Sequence, residues 1–95
     1  MNAPVTRVRG LVRGSVQGVG FRYWCQREAE RLGLSGWVKN LVDGRVEFEV
    51  QGPPESVDSF TDLVHEGPRT ARVQSVHLSE REVQDEGRGG LRIVG

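Results

Sequence analysis

Val12-Arg13-Gly14-Ser15-Val16-Gln17-Gly18-Val19-Gly20-Phe21-Arg22 changes its hydrophobic period part-way along. The residues leading into it, Val5 to Arg13, alternate. Val8, Gly10 and Val12 share one side; Arg7, Arg9, Leu11 and Arg13 share the other. A period of two predicts a strand with one buried and one largely wet face. Beyond the stretch, Phe21, Cys25, Ala29 and Leu32 recur at i, i+4, i+8 and i+11, which predicts a helix with its apolar stripe against a core. Gly33 stands where a helix commonly stops. The stretch is therefore a strand-to-helix connection carrying Gly14, Gly18 and Gly20, with Arg22 at the helix start. Glycine allows successive backbone N–H groups to turn towards one point. A helix N-terminus adds unpaired donors and the positive end of its dipole. Together they predict an anion site. Arg22 strengthens that reading, because a cation at a helix start is locally unfavourable unless something negative binds there.

Working outward, Gly36 to Asn40 reads as a second strand, and Leu41-Val42-Asp43-Gly44 as a hairpin turn with the Asp-Gly signal. Arg45 to Gln51 alternates again: Val46, Phe48 and Val50 point one way, Arg45, Glu47, Glu49 and Gln51 the other. One dry and one wet face imply an antiparallel sheet covered on a single side. Gly52-Pro53-Pro54-Glu55 opens a second helix, whose stripe is Val57, Phe60 and Val64 with Leu63, and Gly67-Pro68 closes it. Ala71 to Ser79 is a further strand whose apolar positions change phase between Val73 and Val76, which predicts a bulge. Glu80 to Gly90 is charged and glycine-rich and reads as a mobile loop; Leu91 to Val94 reads as a short edge strand. The order strand, helix, strand, strand, helix, strand predicts an α+β fold. It is the ferredoxin-like two-layer sandwich (βαββαβ), an antiparallel sheet with two helices on one face, in a single domain over residues 1–95.

The remaining inventory excludes more than it offers. Thirteen basic residues balance thirteen acidic ones. That charge balance, and a wet face of Arg7, Arg9, Arg45, Glu47 and Glu49 without an aromatic pair, argue against nucleic acid as a partner. Glu47 and Glu49 would neutralise the arginine row across strands, giving a solvated, paired face. No apolar run is long enough to span a membrane and no signal peptide is seen. The single cysteine, Cys25, has no histidine near it in sequence and reads as core, and its lack of a partner thiol points to a reducing, cytoplasmic compartment. Asp43, Asp58, Asp62, His65 and His77 lack metal-ligand spacing, so neither metal nor cofactor is expected. His65 suits a helix end, where a cation is welcome. Charged edges suggest a monomer. Asn40, at a strand end before a turn, is either a turn former or an amide that holds a water.

Two long motifs carry a resemblance. Gly14-Ser15-Val16-Gln17-Gly18-Val19-Gly20-Phe21-Arg22 resembles the G-x-V-Q-G-V-x-F/Y-R signature of acylphosphatases, with Gly20 at the variable position. Gly36-Trp37-Val38-Lys39-Asn40, followed by Gly44-Arg45-Val46 and later Gly52, is similar to the family's second signature. The resemblance implies metal-independent hydrolysis of the carboxyl–phosphate bond of acyl phosphates. Arg22 would bind phosphate, and the backbone N–H groups of Ser15, Val16, Gln17, Gly18, Val19, Gly20 and Phe21 would form a cradle. Asn40, on a strand that could pack beside that of the loop, would position the attacking water. Phosphate, or sulfate in its place, would be a product-like ligand. The competing resemblance is to the N-terminal part of carbamoyl-phosphate-handling maturation proteins, which would make the domain a phosphate- or carbamoyl-phosphate-binding module. The chain's end at Gly95 favours the free-standing enzyme.

Overall fold

Alternation becomes three central strands, and the glycine stretch becomes the turn between the first of them and the first helix. The computed structural model describes residues 3–86 and 89–95. Its elements are β1 (Thr6–Ser15), α1 (Phe21–Arg31), β2 (Ser35–Asn40), β3 (Val46–Gly52), α2 (Pro54–Glu66), β4 (Arg72–Arg81) and β5 (Gly90–Ile93). They form one five-stranded sheet in the order β4-β1-β3-β2-β5, with α1 and α2 packed on one face. This is the expected ferredoxin-like α+β arrangement. Every pairing is antiparallel except that of the edge strand β5, which runs parallel to β2.

The core lies between helices and sheet. Phe21, Cys25 and Ala29 of α1 and Val57, Phe60 and Val64 of α2 meet Val12, Val38, Val46, Phe48 and Val50 of the sheet. Phe48 and Phe60 stack edge to face, 5.2 Å between ring centres. Full burial of each such side chain contributes about 1.5–3 kcal/mol relative to exposure. The expected bulge is present. Arg13 pairs with Ser75 while Gly14 pairs with Val73, so Gln74 is the extra residue on β4. That extra residue brings Val73 and Val76, three apart, against the same core.

Three expectations need correction. β2 does not lie beside β1; β3 is inserted between them, because the β2–β3 hairpin pairs with β1 through its second strand. The face opposite the helices is not wet along β3 and at the start of β1: Arg7, Glu47, Glu49 and Gln51 are all buried, while Arg13 and the β4 residues beside it are exposed. Nor is the whole 80–90 stretch a free loop, since Gln84 and Glu86 are fastened across that face. Gln51 Nε2 donates to the Gln84 carbonyl oxygen (2.7 Å), and the Gln84 N–H donates back to Gln51 Oε1 (2.8 Å). Arg7 donates to Glu49 (2.7 Å) and to Glu86, and Arg92 pairs with Glu86 at 3.2 Å. The cross-strand pairing of the arginine row is as expected, with Arg9 on Glu47 at 2.5 Å. Residues 87 and 88 of the stretch, and residues 1 and 2 at the N-terminus, lie outside the described residues.

Candidate active site

Gly14, Gly18 and Gly20 all have positive φ, at 136°, 73° and 80°. The loop they shape, residues 16–20, leaves the end of β1 and becomes α1 at Phe21. Gly20 is the N-cap of α1 in the left-handed conformation, with no side-chain cap and no acidic residue in the first turn. The helix start thus keeps its donors and dipole free of protein anions. Arg22, the second residue of α1, makes no ion pair with any described residue.

The loop is held from both sides. Gln17 Nε2 donates to the carbonyl oxygens of Leu41 (2.7 Å) and Arg45 (2.9 Å). Thr70 Oγ1 donates to the Val19 carbonyl oxygen at 2.7 Å. Val16 and Phe21 bury their side chains in the core. With Gln17's amide committed to the hairpin, those three residues have their backbone N–H groups to offer a ligand. Ser15 ends β1 opposite Arg72. Gln17 also closes the hairpin loop, in which the Leu41 N–H donates to the Arg45 carbonyl oxygen and Asp43 accepts from the Arg45 guanidinium. That hydrogen bond holds the Asp43 carboxyl below its ordinary range.

Asn40 is brought to the same end of the sheet. Val46 pairs with Val12 on one side and Asn40 on the other, so the three form one row. Directly opposed side chains share a face. Val12 and Val46 face the helices, so Asn40 does too, at the rim where β1 gives way to the glycine loop. Two strand spacings, about 10 Å, separate it from β1. Its Oδ1 is buried and has no hydrogen-bond partner among the described residues. Neither histidine joins this group: His65 lies in the last turn of α2, where Nδ1 donates to the Thr61 carbonyl oxygen, and His77 is on the β4 edge. Cys25 is buried, which pushes its thiol well above the ordinary range. Among the described residues, no three His, Cys, Asp or Glu side chains cluster as a metal site.

A profile of the acylphosphatase family matches residues 8–89. The chain belongs to the acylphosphatase family. It is 47% identical over 91 residues to the acylphosphatase of Thermococcus kodakarensis, covering 94% of this chain and 98% of that one. Among solved structures, acylphosphatase from Bacillus subtilis superposes with a TM-score of 0.87 at 41% identity, over 95% of this chain and 99% of that one. A second similar structure is T. kodakarensis HypF, with a TM-score of 0.81 and 32% identity, where the match covers 95% of this chain but 12% of the other. This acylphosphatase is accordingly a hydrolase acting on acyl phosphates. Sequence reasoning named the loop, Arg22 and Asn40. It missed Thr70, which lies in a turn with no periodicity to mark it, and it assigned no role to the Gln17 side chain.

Proposed function

We propose that the N–H groups of the 15–21 loop cradle the phosphoryl oxygens, that Arg22 neutralises them, and that Asn40 holds the attacking water. The placement of the half-buried Asn40 at the rim where β1 gives way to the glycine loop carries this reading. An asparagine amide can both donate and accept, which suits it to hold a water. The water attacks phosphorus, the phosphorus–oxygen bond to the acyl group breaks, and the products are a carboxylate and inorganic phosphate. The departing carboxylate is a weak base, protonated only below a pH of about 4, so no general acid is required. The water's proton passes to the substrate's phosphoryl oxygens or to solvent. Catalysis rests on positioning and on electrostatic stabilisation of the phosphoryl group. No metal or cofactor enters this scheme. Among the described residues no helix is long and apolar enough to cross a membrane; the lone buried thiol fits a cytoplasmic enzyme, and we read the protein as a monomer.

The test is hydrolysis of a synthetic acyl phosphate in the presence of a chelator, with two variants beside the wild type. Activity should survive chelation. Arg22→Ala should weaken inorganic phosphate binding about tenfold or more and lower turnover, as loss of a charge-assisted bond implies. Asn40→Ala should keep phosphate affinity and lose about a hundredfold in kcat. Loss of activity on chelation, or unchanged phosphate affinity in the arginine variant, would overturn the scheme. Phosphate binding without turnover by the wild type would indicate a phosphate- or carbamoyl-phosphate-binding module instead.

A further inference from the structure

Behind the glycine loop, at the same end of the sheet, lies an open groove of about 320 Å³ lined by Arg13, Gly14, Ser15, Asp43, Gly44, Arg45 and Gln74. Three local features build it. The β4 bulge leaves Gln74 out of register and directs it into the groove. Gly14 is obligatory, because a Cβ there would collide with the Arg72 carbonyl oxygen. Gln17 ties the Arg45 carbonyl to the loop, so the groove and the phosphate cradle share a wall. No apolar side chain lines it. Two guanidinium groups face one carboxylate, and Asp43 is already committed to Arg45 at 2.8 Å. Arg13 is exposed and makes no ion pair with a described residue.

We infer that this groove receives the acyl end of the substrate and selects a short acyl group bearing a second negative charge. The inference rests on the placement of the phosphoryl group in the glycine loop. A volume near 300 Å³ is at the small end for ligand sites and suits an acyl chain of a few carbons. Its polar lining offers an alkyl chain nothing to pack against, whereas Arg13 offers a carboxylate a forked donor set.

Succinyl phosphate and butyryl phosphate have equal chain length and differ in the terminal carboxylate. The wild type should favour succinyl phosphate about two- to fivefold in kcat/KM, the scale of one exposed guanidinium–carboxylate pair. The preference should shrink as ionic strength rises, since exposed pairs are screened. Arg13→Gln should bring the ratio of the two kcat/KM values close to one, and Arg13→Glu should invert it. A wild-type ratio near one, or a ratio unaltered in both variants, overturns the inference while leaving hydrolysis and the phosphate site intact. Hydrolysis of neither substrate would overturn the catalytic reading and this inference with it.

Discussion

Thr70 and Val19 stand 51 positions apart in the chain and are joined by one hydrogen bond of 2.7 Å. In a trans peptide the carbonyl and the next N–H point in opposite directions. Fixing the Val19 oxygen therefore fixes the direction of the Gly20 N–H, one of the proposed cradle donors. Thr70 is thus a positioning residue. A hydrogen bond of this kind contributes about 1 kcal/mol, so Thr70→Val should weaken phosphate binding about fivefold. Thr70→Ser, which keeps the hydroxyl, should restore it. The melting temperature should fall by no more than the several degrees that about 1 kcal/mol represents in a domain of this size. Calorimetric phosphate titration beside a thermal melt decides the matter: a stability loss with unchanged phosphate affinity would make the bond merely structural. Gln17 shows the other limit of sequence reading at this scale. Its place in the glycine motif is plain, but its amide's two carbonyl partners come from a hairpin 24 and 28 residues away.

The elements themselves were largely legible, because each rests on local chemistry. The stripe Phe21, Cys25, Ala29 made α1, and the phase change between Val73 and Val76 marked a real bulge. Strand neighbours were less legible, since pairing depends on contacts distant in sequence: β3, not β2, lies beside β1, and β5 joins parallel to β2. The glycines at the two ends of the β1–α1 connection differ in what they demand. Gly20 has φ 80° and open space around its Cβ position. Gly20→Ala should therefore cost only the left-handed strain, about 1–2 kcal/mol. Gly14 has φ 136° and would drive a Cβ into β4 backbone. Gly14→Ala should cost distinctly more, because the bulge pairing must shift as well. Urea unfolding of both variants orders them; equal costs would show that the β1–β4 contact yields easily.

Across the whole molecule, the least legible feature was the segment that covers the sheet's second face. Glu82 to Glu86 carries three acids in five residues and no apolar period, so local chemistry reads it as loop. What holds it is a set of polar contacts: the long-range pairs Gln84 to Gln51 and Glu86 to Arg7, with Glu86 to Arg92 six residues on. Arg7 is 1% exposed and must keep anionic partners to be tolerated there. Burial by itself would raise the Glu86 pKa, but its bonds to Arg7 and Arg92 outweigh that and leave it below the ordinary value. A carboxyl depressed in the folded state binds fewer protons folded than unfolded. Its contribution is complete above the unfolded pKa, about 4.3, and is lost as pH falls through the lower folded value. Glu86→Gln should lower stability at neutral pH by about 2 kcal/mol, since a buried cation loses a charged partner. It should also flatten the acid limb, so that wild type and variant converge as the pH falls below about 4. Urea midpoints measured across that range test both parts. A parallel decline in the two proteins would mean that the Arg7–Glu86 contact contributes nothing to holding the segment over the sheet.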